Sequence, residues 1–126
     1  MLSLIALKTI LAITVVMLLL DGVFLFTIYG TFNKMIRTIQ GTDIKMRAAG
    51  ALVCYVALVG LLYYFIVANK RPALEAAFLG SGIYAVYEST SYALLKDWDY
   101  KVAITDTVWG GVLFYLTTTA VYAMGF

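Results

Sequence analysis

A series of long apolar segments constrains this chain more than any other feature. A helix needs about 20 apolar residues to cross the ~30 Å hydrocarbon core of a bilayer. Four segments fit that length, at about residues 9–29, 48–68, 73–95 and 102–124. With 63% hydrophobic and only 13% charged residues among 126, one soluble domain could not hide so much apolar surface from water. We therefore predict an all-α integral membrane protein, a bundle of four transmembrane helices that forms a single domain over residues 1–126.

The first segment has an alternative interpretation as a secretory signal peptide, because Lys8 precedes its apolar run. A signal peptide ends in a cleavage site of small residues, and no such site follows Leu20. The run is also long enough to span a bilayer. We therefore expect this segment to remain in the protein as a membrane helix.

The three connections between the segments are polar and carry residues typical of membrane surfaces. Met35, Ile36 and Ile39 predict a short interfacial helix in the first connection, residues 30–47. Pro72, in the second connection, suits the first turn of the third helix. Cationic and aromatic side chains favour the headgroup region. The predicted interfacial anchors are Lys34, Arg37, Trp98, Tyr100 and Lys101.

The distribution of cations between the connections predicts an orientation. The first and third connections together carry six Lys and Arg residues, whereas Lys8, Lys70 and Arg71 lie on the other side. Cytoplasmic loops of membrane proteins are enriched in these residues. We therefore expect the first and third connections to face the cytoplasm and both termini to lie on the opposite side of a membrane whose identity the sequence does not reveal.

Several classes of function are disfavoured by the composition. The sequence has no histidine and a single cysteine, Cys54, so it lacks the usual metal ligand and general base and cannot assemble a zinc site or an internal disulfide. Its net charge of +2 and its lack of a basic stripe disfavour nucleic acid as a partner. We expect no catalytic residue, no metal and no cofactor.

Three acidic residues lie inside the predicted helices. Asp21 lies about 12 Å from the end of its helix at the first connection, and Glu88 and Asp106 lie about 10 Å and 6 Å from the third connection. All three therefore fall in the same half of the membrane. A charged side chain at a helix centre costs about 2.5–3.5 kcal/mol, so we expect the acids to face the bundle interior. Helical spacing adds further members to this predicted polar cluster: Tyr84, Tyr87, Thr90, Ser91 and Trp109.

Small residues predict where helices approach one another closely, because they let two backbones come together. On the second helix these residues are Gly50, Cys54, Ala57 and Gly60. On the third and fourth helices they are the runs 80–82 and 110–111, which contain Gly80, Gly82, Gly110 and Gly111. Both sets are expected to lie at helix contacts.

The acids themselves are open to three interpretations. They are consistent with interhelical hydrogen bonds that hold the bundle together, with a proton or cation relay or a polar ligand cavity, and with contacts to a cation of a partner subunit. No Lys or Arg lies deep in any helix. We therefore expect the acids to be neutral, hydrogen-bonded, hydrated or paired with a cation that reaches in from a helix end, namely Lys101, Lys96 or Arg37.

Two stretches of the sequence match a known pattern. Residues 87–98 read YESTSYALLKDW and residues 104–110 read ITDTVWG. They resemble a family of small predicted membrane proteins of unknown function that is common in bacteria, with the pattern Tyr-Asp-x-Thr-Asn-x-Ala-x-Leu-x-x-Trp and then Val-Asp-x-x-Trp-Gly. An aspartate in the first helix also belongs to the pattern, and Asp21 matches it. Glu88 and Ser91 replace the family's Asp and Asn, and Asp99 stands where Pro is usual. The resemblance implies four spans and singles out the same three acids, but it implies no established activity.

These observations support hypotheses from three classes of function. The first is a non-enzymatic structural or accessory subunit of a larger membrane-associated assembly, in a respiratory or photosynthetic complex or in a viral membrane or capsid. Its expected partners are membrane lipids and other membrane-protein subunits or further copies of the chain. The alternative is a small proton- or cation-coupled transporter built around the three carboxyls. A membrane enzyme acting on lipid or quinone is the least favoured, since no nucleophile–base pair is visible.

Overall fold

A computed structural model describes residues 3–126 of the protein, and within that range it is entirely helical, with no strand. The four α-helices are α1 (Leu4–Gln40), α2 (Ala48–Leu62), α3 (Ala73–Leu94) and α4 (Tyr100–Ala123). A π-helical turn, Tyr63–Val67, continues α2 without a break. The prediction of an all-α fold is therefore confirmed for these residues.

The first helix is much longer than the sequence predicts. Its 37 residues extend about 55 Å at 1.5 Å per residue, so α1 exceeds the ~30 Å core of a bilayer. The prediction of a separate short helix at residues 35–39 is wrong, because these residues continue α1. No proline lies between Tyr29 and Gly41, and α1 continues to Gln40, where Gly41 caps it in the left-handed conformation with φ +81°.

The closest packing in the described fold joins α3 to α4. A Cβ atom placed on Gly80 would collide with the carbonyl oxygen of Gly110 and with the ring of Phe114. A Cβ atom on Gly111 would lie 3.2 Å from the carbonyl oxygen of Ala77. The prediction of close packing at these glycines is therefore confirmed, whereas Gly82 is exposed and faces open space.

The second helix packs through the face opposite to the one that the sequence predicts. Its small face, defined by Gly50, Cys54, Ala57 and Gly60, is exposed, and a Cβ atom on either glycine would meet nothing within 4 Å. The buried face of α2 instead carries larger side chains, including Leu58 and Leu62. They fill the core between α1 and α4 more completely than small residues would, so the prediction of a close helix contact at the small face is wrong within the described chain.

The core is almost wholly aliphatic and lies toward the end of the molecule that carries the second connection. Its fully buried members come from all four helices and include Ile13, Met17, Leu62, Ala76 and Phe114. A second, smaller cluster joins the end of α1 to the third connection through Met35, Trp98 and Val102. The first and third connections therefore lie at the same end of the molecule.

Two helices of the described chain are long and apolar enough to cross a bilayer. They are α1 and the continuous helix Ala48–Val67 formed by α2 and its π-helical turn. The other two, α3 and α4, have 22 and 24 residues but do not reach the same apolar content. By length and composition alone, two of the four predicted spans are thus supported.

Candidate functional site

Asp21 is the point where three helices meet through polar side chains. It lies on α1 and is only 5% exposed. One carboxylate oxygen accepts a hydrogen bond from the indole Nε1 of Trp109 on α4, at 2.8 Å. The other accepts a hydrogen bond from the hydroxyl of Tyr55 on α2. Phe24, one turn further along α1, stacks flat on the Trp109 ring with centroids 4.6 Å apart, which fixes the direction of the indole N–H.

Glu88 occupies the second polar position, on α3, and is 1% exposed. Its Oε1 accepts a hydrogen bond of 2.8 Å from the indole Nε1 of Trp98. Its Oε2 is buried and has no hydrogen-bond partner among the described residues. A buried carboxylate oxygen without a donor is costly in a medium of low polarity, so this oxygen is the least satisfied polar atom of the site.

Trp98 does not lie where the sequence predicts. It was expected to anchor the protein at the lipid headgroups, but it is only 5% exposed. Phe32 and Tyr87 both meet its ring edge-on, at centroid distances of 5.8 Å and 6.1 Å. Because its indole N–H is turned inward to Glu88, Trp98 belongs to the polar cluster rather than to the interfacial anchors.

Asp106 connects the two positions. Gly110 on α4 contacts Tyr84 on α3. Asp106 lies one turn before Gly110 and Glu88 one turn beyond Tyr84, so the two acidic residues face each other across the α3–α4 contact. The Asp106 carboxyl is also within electrostatic range of Asp21. The Tyr84 side chain on α3 lies within electrostatic range of both Asp21 and Asp106. The structure therefore brings together the three acids that the sequence places in one half of the membrane.

The remaining predicted members of the cluster divide into two groups. Tyr84, Ser91 and Trp109 are half-buried and lie on its inner side. Tyr87 is 54% exposed and contributes mainly the edge of its ring to Trp98. Thr90 is exposed, because it lies two residues beyond Glu88 and therefore on nearly the opposite face of α3.

The cationic anchors lie apart from the acids. Lys34, Tyr100 and Lys101 are exposed, and the ammonium group of Lys101 lies 6.0 Å from the centroid of the Tyr100 ring. Arg37 makes an ion pair of 2.7 Å with Asp43 in the first connection. The hydrogen bond from Arg37, helped by one from Asn33, lowers the pKa of the Asp43 carboxyl. Arg37 is thus engaged in the first connection rather than with the three acids.

Tyr55 is the site residue that the sequence does not predict. It lies within the uncharged second segment, where a tyrosine is equally consistent with apolar packing. The available signal was its position next to Cys54 on the only helix without an assigned polar partner. The structure gives it a role, since its hydroxyl is the polar link from α2 to Asp21.

The buried carboxyl groups of the cluster accept hydrogen bonds from indole and phenol groups of other helices and of the third connection. No group of three or more His, Cys, Asp or Glu residues in the range 3–126 is arranged to hold a metal ion. An open groove of about 490 Å³ lies between α3 and α4, but it is apolar and lined by Leu74, Phe78, Val112 and Leu116, among others. None of the three acids lines it.

Comparison with known proteins gives one informative result. A family model described as Predicted membrane protein (DUF2177) matches residues 6–123, which is nearly the whole chain. The resemblance to an uncharacterised family of membrane proteins is therefore confirmed. No curated protein and no solved structure matches the chain.

Proposed function

The chain belongs to the family described as Predicted membrane protein (DUF2177), and we propose that it is a non-enzymatic, four-span membrane protein that serves as a small structural or accessory subunit. The exposed small face of α2 is the observation that supports a subunit role. Small residues on an exposed helix face allow a further helix to approach closely in the membrane. The occupant is a transmembrane helix of another subunit or of a second copy.

Exposed apolar side chains on every helix support the four-span arrangement. The large hydrophobic residues Leu19, Val53, Phe78 and Ile104, one from each helix, are 60–82% exposed. Such surface is stable in lipid but not in water. Because α4 packs along α1 in the aliphatic core, a bilayer that surrounds α1 also surrounds α4, and α3 follows through its close contact with α4.

The orientation proposed for the four spans places the first and third connections in the cytoplasm and both termini on the other side. Its support is the cation bias of these connections. The first and third connections lie at one end of the molecule, where Met35 on α1 meets Trp98 in the third connection. This common position agrees with an even number of membrane crossings between the two connections.

The polar cluster supports a structural rather than an enzymatic role. Asp21 joins α1, α2 and α4 through two donors, and Glu88 ties α3 to the third connection. Buried hydrogen bonds between helices specify one arrangement of a bundle even where each contributes little energy. Asp21, through Tyr55, thus holds α2 and its small face in a fixed position.

Crosslinking through Cys54 tests the subunit role. Cys54 is the only cysteine of the chain and lies exposed on the small face of α2. We expect a membrane-permeant bismaleimide, added to the native membrane, to link Cys54 to a cysteine of a second copy or of another subunit. Blue-native electrophoresis in mild detergent should show the same assembly without crosslinking.

The control variants for this experiment compare the small face of α2 with an exposed position on α3. Gly60→Leu places bulk on the small face of α2 and should abolish the larger species, whereas Gly82→Leu places the same bulk on an exposed position of α3 and should leave it intact. Cys54→Ala should remove the crosslink but not the native band. A monodisperse monomer in the unsubstituted preparation, with no associated chain, would contradict the proposal.

The second candidate is a small proton- or cation-coupled transporter, and the observation in its favour is the grouping of Asp21, Glu88 and Asp106. Four helices are few for an alternating-access device, so a transporter would require a dimer. We expect protein in liposomes to carry a proton or cation flux that falls at least tenfold in the variant D21N/E88Q/D106N. Flux that is absent, or equal in the two proteins, excludes this candidate.

A further inference from the structure

The buried, unpartnered oxygen of Glu88 requires a proton donor that no other residue in the described part of the chain supplies. The indole N–H of Trp98 donates a hydrogen bond of 2.8 Å to Oε1, but Oε2 has no partner in the described chain. Glu88 is 1% exposed, so bulk water does not reach this oxygen directly. If the carboxyl were ionised, part of its charge would remain unsatisfied at a buried position.

The nearest polar group is a second carboxyl. Asp106 faces Glu88 across the α3–α4 contact, one helical turn from the touching residues Gly110 and Tyr84. Two neighbouring carboxylates cannot both be ionised without strong repulsion. With one proton present, one carboxyl becomes a donor and the other an acceptor. The two carboxyl groups therefore repel each other when both are ionised, and they form a hydrogen bond when they share a single proton.

Among residues 3–126, no positively charged group lies close enough to compensate the pair. The titratable groups within electrostatic range of the pair are Asp21 from α1, Cys54 from α2, and Tyr84 and Tyr87 from α3. None of these groups is cationic. A single proton is thus the simplest means of removing the second negative charge from the interior.

We propose that Glu88 and Asp106 form a proton-binding site inside the helix bundle and hold one proton between their carboxyl groups. Only an O–H bond forms or breaks, and the proton comes from water and returns to it. Asp21 lies outside the site, because both its oxygens already accept hydrogen bonds from Tyr55 and Trp109. The site goes beyond the subunit role, and it stands whether or not the protein carries a flux.

Infrared spectroscopy of the protein in lipid tests this site. A protonated carboxyl has a carbonyl band that is separate from the carboxylate bands and shifts in heavy water. We expect one such band in the unsubstituted protein at neutral pH. It should be lost in Glu88→Gln and equally in Asp106→Asn, because each new amide donates a hydrogen bond to the remaining carboxylate and replaces the shared proton.

Asp21→Asn is the matched control and should retain the band. Circular dichroism verifies that each variant is helical, and labelling of Asp or Glu carboxyl carbons with ¹³C in the unsubstituted protein assigns the band without any substitution. The proposal is overturned if the unsubstituted protein has no such band, if labelling assigns it to neither residue type, or if it persists in either amide variant of the pair. Loss of proton flux is not required, so the transporter candidate can fail while the site remains.

Discussion

Replacing Gly110 with alanine is expected to lower the free energy of unfolding by about 3 kcal/mol, the upper part of the usual range for overpacking. The added Cβ atom would collide with the ring of Tyr84 and lie 2.8 Å from the carbonyl oxygen of Gly80. A backbone atom cannot rotate away as a side chain can. The α3 and α4 helices must therefore separate along their most extensive contact, which the higher helix propensity of alanine, worth about 1 kcal/mol, offsets only in part.

The measurement is an unfolding titration of detergent-solubilised protein with sodium dodecyl sulfate, followed by the fluorescence of the two tryptophans. Gly82→Ala is the control, because Gly82 lies on α3 but faces open space. We expect this change to be neutral or to stabilise the protein by up to about 1 kcal/mol. An equal loss of stability in the two variants would contradict the prediction, because only Gly110 lies at the close contact between α3 and α4.

The helices and the acidic positions could be predicted from the sequence because both follow from the incompatibility of polar groups with lipid. Apolar length indicates a membrane helix, and the cost of isolated charge predicts that intramembrane acids face inward. The positions of Asp21, Glu88 and Asp106 therefore follow from depth and helical spacing alone. The glycines of the α3–α4 contact follow from the small residues that close packing needs.

Other features depend on tertiary contacts that a periodic pattern does not contain. The continuation of α1 to Gln40 is stabilised where Met35 meets Trp98 in the third connection, 63 positions further along the chain. Trp98 is a residue type typical of interfacial anchors, and its burial follows from its packing against Met35 and its hydrogen bond to Glu88. Small residues on α2 indicate that a close contact is possible but not that this chain makes it.

Asp21→Ala is expected to produce the other large loss of stability, about 2–4 kcal/mol. The change deprives the hydroxyl of Tyr55 and the indole N–H of Trp109 of their acceptor, and each unsatisfied buried donor costs about 1–3 kcal/mol. Both donors are half-buried, which places the expected value below the upper limit of that sum. It still exceeds the ~0.6 kcal/mol average for a hydrogen bond between membrane helices.

The loss should be greatest at α2, because its contacts with the other helices are few and Tyr55 is its polar link to Asp21. Hydrogen exchange should therefore accelerate in α2 before it does in α3 or α4. Asp21→Asn keeps one acceptor oxygen and nearly the same volume, so it should lose less than half as much stability. In a double-mutant cycle, Tyr55→Phe should add little once Asp21 is alanine. Additive effects in that cycle, with uniform exchange along the helices, would mean that Asp21 does not fasten α2 to the bundle.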